Sequence, residues 1–352
     1  MLVDLKVWDE ADAISRLREP WQHLYDQCPD APIFLSWEWV STWWSHFHDG
    51  RTPHVVTLSD ADRLVAVAPL MKANGGSPTL SFMQRDETTD YADVLAPPTF
   101  CADASDALLE YLEKACSAGG SARLEPVPEE SPLLLAVDGG KSNLVGERIQ
   151  PCPTVRLADT WDAYLGALTK KDRHELRRKI RRAETAGHLL HEVATARDAL
   201  DLPLQEFYRL HQSSSDPKKA QFLDLHLQAF FSDAARILAE RGWLRLSTLR
   251  LDGAAIASLL SFDRGSTVSL YNSGLDPEFR WLSPGIVIIA YELQAAIAAG
   301  RLTYDFLRGD EPYKYDFGAR DRFVWRLRFE TGPKLPNAQR GAALSANGTP
   351  QP

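Results

Sequence analysis

The alternation of apolar and polar positions runs twice through one order of elements. Residues 54–59, 64–72 and 79–84 read as three strands, parted by the turn Asp60-Ala61-Asp62 and by Gly75-Gly76. A helix follows over 103–117, stops at Ala118-Gly119, and a further strand begins near Arg123-Leu124. The pattern then recurs. Strands over 244–251, 255–262 and 266–272 flank the turns Asp252-Gly253 and Asp263-Arg264-Gly265, a long apolar helix starts at Ile286, Ala299-Gly300 ends it, and a strand resumes at Arg301-Leu302. Antiparallel hairpins followed by a helix and one more strand predict an α+β (mixed α/β) fold, each half a mostly antiparallel sheet flanked by helices. Two copies point to an internal duplication.

Between the copies, residues 169–184 have helical period with Thr169 as cap and Leu176, Ile180 and Ala183 on one narrow apolar stripe; eight of them are Lys or Arg. This is either a solvated linker docked by its stripe or a basic flank for a phosphorylated ligand or RNA. A length of 352 residues suggests about two domains. The expected division is 1–158, a basic linker helix 159–186, 187–332, and a disordered tail 333–352 rich in Ala, Asn, Gly and Pro.

Charge and cysteine usage narrow the classes. A net charge of −9 argues against a nucleic-acid partner for the molecule as a whole. Cys28, Cys101, Cys116 and Cys152 lie far apart, which indicates neither a zinc site nor a disulfide framework, and His46, His48 and His54 lack supporting ligands, so no metal is expected. The start of the chain lacks the order of a secretory signal, and the apolar stretch 285–300 contains Glu292 and Gln294 and is short of a bilayer span. A cytoplasmic protein with no transmembrane segment is expected.

Candidate chemistry gathers in two segments of the second copy. Residues 302–318 bring Asp305, Arg308, Asp310, Glu311, Lys314 and two tyrosines, Tyr313 and Tyr315, around one Gly-Pro turn, and loops on a rigid scaffold are where binding and catalytic groups concentrate. Upstream, Arg280, Ser283, Pro284 and Gly285 precede the apolar helix; proline near a helix start and a nearby glycine leave the first N–H groups approachable by phosphate. The equivalent place in the first copy, 85–93, has no glycine and four acids, Asp86, Glu87, Asp90 and Asp93, and would repel phosphate. Trp37, Trp39, Trp43 and Trp44 have helical spacing, which fits packing or a platform for stacking a sugar. No G-x-S-x-G elbow supports a serine hydrolase.

The spacing Arg280-x-x-Ser283-x-Gly285 matches the pyrophosphate loop of the GNAT acyltransferases with Ser at the middle Gly. From about Trp21 to Arg328 the chain resembles tandem GNAT-like proteins related to the FemAB peptidyltransferases, in particular the CelD-like acyltransferases of cellulose and exopolysaccharide biosynthesis. The resembling residues are Phe34-Leu-Ser-Trp-Glu-Trp39, Trp43-Trp44, Asp90-Tyr-Ala-Asp93, the helix Arg177–Arg182, and Gly309-Asp-Glu-Pro-Tyr-Lys314. The resemblance implies an acyl-CoA-dependent N- or O-acyltransferase acting on a sugar, nucleotide sugar or polysaccharide precursor, with polysaccharide-synthase components as further partners. Arg280, Ser283, Pro284 and Gly285 would bind an acyl-CoA such as acetyl-CoA. Lys314, matching a FemAB Phe-Lys pair, would stabilise the oxyanion, Asp305 or Asp93 would act as base, and Tyr313 or Tyr315 as acid. Trp37, Trp39, Tyr91 and Arg308 would contact the acceptor, the first copy serving that side. Two alternatives stay open: aminoacyl transfer from tRNA, using the basic helix, though the long coiled-coil arm of some FemAB members is absent; and a silent binding subunit of a polysaccharide synthase. Asp305 could equally pair with Arg308, and Lys314 with Asp310 or Glu311.

Overall fold

The computed structural model describes residues 3–73, 79–85, 88–138, 144–214 and 221–329. The tail expected over 333–352 lies outside the described residues. The chain divides into two units, one holding the described residues up to Pro151 together with those from Arg322 onward, the other Cys152–Asp321.

In the first unit the chain runs β1 (Val3–Trp8), α1 (Ala13–Arg16), α2 (Arg18–Asp26), α3 (Trp37–Phe47), β2 (Thr52–Asp60), β3 (Arg63–Lys72), β4 (Thr79–Phe82), α4 (Cys101–Ser117), β5 (Ser121–Pro128) and α5 (Pro132–Asp138). β6 (Leu144–Arg156) leads out of it, and the C-terminal strand β12 (Arg320–Phe329) returns to it. Antiparallel pairs join β1 to β2, β2 to β3 and β3 to β4; β4 and β5 are parallel; β12 then lies antiparallel to β5, with Val324 opposite Pro128 and Trp325 opposite Val127. Leu70, Phe82, Leu112 and Leu124 are buried together at its centre.

The second unit repeats the order. After α6 (Trp161–Ala167) and α7 (Lys170–Glu184) come β7 (Leu189–Ala194), α8 (Asp201–Gln212), α9 (Leu225–Glu240), β8 (Leu244–Leu251), β9 (Ala254–Arg264), β10 (Thr267–Leu275), α10 (Pro284–Ala298), β11 (Thr303–Asp305) and α11 (Pro312–Asp316). β7, β8, β9 and β10 are antiparallel neighbours, β10 and β11 are parallel, and the end of β6 lies antiparallel to β11. Strand for strand, β1-β2-β3-β4-β5-β12 and β7-β8-β9-β10-β11-β6 are one pattern, so the duplication read from hairpin spacing is present as topology. The two units repeat one fold of the α+β class.

The units differ from the expected linear division in two places, for two physical reasons. Each sheet needs a strand beside its parallel pair, and the first unit takes that strand from the far C-terminal segment, where β12 finds β5. The basic helix is no free-standing linker. Thr169 caps it through Asp172 N–H at 3.2 Å, and Leu176 and Ala183 are buried in the core of the second unit with Ile180 packed alongside.

α10 is apolar almost throughout because it packs on β8, β9 and β10 in the core of this unit. Its single charge, Glu292, is fully buried and cannot remain so alone. Arg245 of β8 donates Nε and Nη2 to the carboxylate at 3.1 Å each, Ser247 Oγ donates at 2.6 Å, and His191 Nε2 of β7 lies 3.2 Å away. Burial pushes this carboxyl upward, but the hydrogen bonds from His191, Arg245 and Ser247 together with the Arg245 charge outweigh it and hold the pKa at about 2. Among the described residues no helix is long and apolar enough to cross a membrane.

Removing Glu292 should therefore leave Arg245 half-buried with only the longer pairing of Nη1 to Asp263 Oδ2 at 3.8 Å. Glu292→Ala is expected to lower unfolding stability by about 3–5 kcal/mol, measured by denaturant titration. Because the folded pKa lies below the ordinary value of 4.5, the stabilisation is fully present above about pH 4.5 and fades as pH falls toward about 2. A variant whose stability and acid-unfolding curve match the parent would contradict this role.

Candidate functional site

A cleft of ≈ 800 Å³ opens in the second unit, bounded by the second half of β10, the segment leading into α10, the end of α8 and the turn after β11. β10 is bulged between Leu270 and Asn272, and Tyr271, Asn272 and Ser273 border the cleft at that irregularity, as is usual where a strand bends beside a site.

The start of α10 is built for close approach. Ser283 sits in the left-handed region at φ 55° and ψ 51°, a conformation that costs a non-glycine residue on the order of 1 kcal/mol. Its Oγ accepts from Arg182 Nη2 of α7 at 3.0 Å. Its carbonyl accepts from both Ile286 and Val287, at 3.0 and 3.2 Å. Pro284, at the first helical position, has no N–H, so the first donor of the helix is Gly285, whose amide meets no acceptor among the described residues. Gly285 lies so close to β10 that an added Cβ would stand 3.1 Å from Leu275 Cδ2. Arg280, Ser283, Pro284 and Gly285 all border the cleft, so the four donor-binding candidates are brought together.

The turn after β11 supplies another part of the lining. Asp305 is 4% exposed, and its Oδ1 accepts from the Leu307 amide at 2.8 Å, holding Leu307 at φ 55°. Lys314 is 2% exposed. Its ammonium donates to the carbonyls of Arg308 and Gly309 at 3.0 Å each and of Leu307 at 3.5 Å, and pairs with Glu311 at 2.8 Å. Four acceptors for three protons make Lys314 the clamp of this turn. Tyr313 packs edge-on against Phe306, and burial, reinforced by the Glu311 charge, raises its phenol well above the ordinary value.

Of the catalytic candidates, Lys314 and Tyr313 border the cleft, and Arg308 does so too. Asp305 and Tyr315 are not among its described lining. Asp305 is spent on its own turn, and the Tyr315 hydroxyl donates to Asp321 at 2.7 Å, with burial and then Asp321 raising its pKa to about 12. Asp93 belongs to the first unit, where it accepts from Ser131 Oγ and the Val94 amide, both at 2.8 Å. Burial outweighs those bonds and raises it to about 7. Of the acidic segment 85–93, Asp86 and Glu87 lie outside the described residues.

Of the aromatic candidates, Trp39 and Tyr91 are buried and Trp37 is half-buried. Trp39 is fully buried, with Phe34 edge-on at 5.0 Å and its indole N–H directed to Thr89 Oγ1 at 3.4 Å, so it has no face to offer a sugar. Tyr91 is 7% exposed and packs against the same Phe34. Trp37 donates to the Ile14 carbonyl at 2.8 Å and carries the Arg18 guanidinium over its ring at 4.8 Å. Helical spacing places these rings by packing.

Sequence reasoning missed His211, which is 1% exposed, lies near the rings of Phe207 and Phe222, and borders the cleft. Gly274 brings it there, since a Cβ on Gly274 would stand 2.6 Å from the His211 amide nitrogen; only glycine lets α8 press so close to β10. Ser213 Oγ, donating to the Leu275 carbonyl at 2.9 Å, fixes the same junction. A glycine inside a strand was the one available signal, and it points to close approach without naming the partner. Among the described residues no cluster of His, Cys, Asp and Glu is placed to hold a metal ion.

Comparison with known proteins agrees with this geometry. Residues 170–315, which include every described residue bordering the cleft, match the acetyltransferase (GNAT) domain. The crystal structure of FemX superposes with a TM-score of 0.63 at 13% identity, covering 93% of this chain and 98% of that one. The C-terminal domain of a putative lysylphosphatidylglycerol synthetase from Agrobacterium fabrum gives 0.56 at 13% identity, covering 93% and 95%. A conserved protein of unknown function from Bacteroides thetaiotaomicron gives 0.58 at 12% identity, covering 93% and 100%. Likeness at such identities is one of fold. No curated protein sequence matches the chain. Residues 170–315 thus carry the likeness to the acetyltransferase (GNAT) domain, and every described residue bordering the cleft lies within them.

Proposed function

We propose that the protein transfers an acyl group from an acyl-CoA to the amine or hydroxyl of a sugar, nucleotide sugar or polysaccharide precursor. The observation that carries the donor is the unpartnered Gly285 amide at the start of α10, inside the cleft, where a donor and the positive end of a helix dipole meet. The acceptor class rests on the resemblance to the CelD-like acyltransferases. Aminoacyl transfer from tRNA, the second reading, would use the same cleft with α7 as its basic flank.

In this reading the acceptor heteroatom attacks the thioester carbonyl, its proton passes to the imidazole of His211, and collapse of the tetrahedral adduct breaks the C–S bond. The departing thiolate takes the Tyr313 phenolic proton. A phenol raised by burial stays protonated at neutral pH, as a proton donor must. His211 takes the base role first expected of Asp305 or Asp93; the Asp305 carboxylate caps its own turn, and Asp93 belongs to the first unit. Lys314 acts through the turn that it clamps, positioning Arg308 and Tyr313 at the cleft wall.

Gly285→Asp should abolish CoA binding in calorimetric titration, while Gly285→Ala, which adds only a tight contact with Leu275, should weaken it by about tenfold or less. Unchanged affinity in Gly285→Asp would remove the helix start from the site. His211→Gln is expected to lower acetyl-CoA turnover by about a hundredfold with CoA affinity retained, and parental turnover would transfer the base role elsewhere. Lys314→Met should cost about 3 kcal/mol of stability in denaturant titration, because buried carbonyls lose their donor; a parental unfolding curve would contradict the clamp.

A further inference from the structure

α7 carries eight Lys or Arg against three acids, a net of +5, within a chain of net charge −9. The remainder of the molecule is therefore strongly acidic, and a polyanionic donor approaching it needs a local positive field. That field stands beside the start of α10. Arg182 Nη2 reaches Ser283 Oγ at 3.0 Å, and its buried Nε meets no acceptor among the described residues. The same end of α7 is tied down twice more, by burial of Ala183 and by the Tyr291 hydroxyl of α10 donating to Glu184 at 3.0 Å.

We propose that this end of α7 is the subsite for the 3′-phosphate of the donor's nucleotide, a group carrying close to two negative charges; the inference rests on the acyl-CoA reading above. Arg178 and Lys179 lie four and three residues before Arg182, about one 5.4 Å turn away on neighbouring positions of the helix surface. Arg182, whose Nη2 meets Ser283 two residues before Gly285, brings this end of α7 to the helix start where the diphosphate would sit. The acids of α7 do not cancel this charge at the subsite. Asp172 is at the far end with Thr169, and Glu184 is held by Tyr291. Glu175 pairs with Arg178 in an exposed bridge at 2.6 Å, which a phosphate dianion can displace. Charge-assisted bonds from guanidinium to phosphate supply both attraction and direction.

The test is calorimetric titration of the full chain with CoA, with dephospho-CoA and with bulk tRNA at one salt concentration. CoA is expected to bind about tenfold or more tightly than dephospho-CoA. The variant Arg178→Gln/Lys179→Gln, which leaves the Ser283 contact intact, should lose most of that preference while keeping its affinity for dephospho-CoA, and adding Arg182→Gln should remove the rest. Equal binding of CoA and dephospho-CoA by the parent, or an undiminished preference in the triple variant with native circular dichroism, overturns the subsite and leaves the acyl-CoA reading standing. Binding of neither nucleotide overturns both. Tight tRNA binding without CoA binding does the same, and assigns α7 to nucleic acid.

Discussion

The buried Glu292 carboxylate is the constraint on which the site depends. An apolar helix lying on a sheet can rotate or slide with little change in buried area, because the hydrophobic effect has no direction. One charge at the middle of such a helix removes that freedom. Glu292 must meet Arg245, Ser247 and His191, and those partners sit on two adjacent strands. With the middle of α10 fixed, its first turn is fixed about two turns away, and Ser283, Pro284 and Gly285 take their places against Leu275.

Everything at the cleft follows from backbone held at close range. Ser283, which borders the cleft, and Leu307, in the turn that presents Arg308 to it, are both non-glycine residues with left-handed φ. Each is held by a side chain, Ser283 through Arg182 and Leu307 through Asp305. The charged groups that the sequence concentrates over 302–318 thus divide in two. Asp305 and Lys314 hold the turn; Arg308 and Tyr313 are what the turn presents to the cleft. A rigid wall of this kind lets an enzyme place donors without reorganising them during reaction.

Local pattern made the hairpins, the α10 start and the Thr169 cap legible, since each is a matter of neighbours in sequence. The strand exchange was not legible, because nothing in the pattern of 320–329 distinguishes a partner at β11 from one at β5. Burial also escaped a reading by residue type. Lys314 reads either as an oxyanion stabiliser or as a partner of Asp310 or Glu311, and its protons go to three carbonyls and Glu311; Trp39 reads as packing or as a platform, and its full burial favours packing. His211 carried no motif, and its position depends on Gly274, sixty-three residues away in the chain, allowing α8 against β10. Long-range approach of this sort is the part of a site that periodicity cannot report.

The central claim is that the first free amide of α10 receives the donor's diphosphate, and a crystal structure of the full chain with bound CoA tests it most directly. A diphosphate oxygen about 3 Å from the Gly285 nitrogen, with the thiol end reaching along β10 toward Tyr313 and His211, is the expected result. A diphosphate seated elsewhere, with the Gly285 amide left to solvent, would contradict the account.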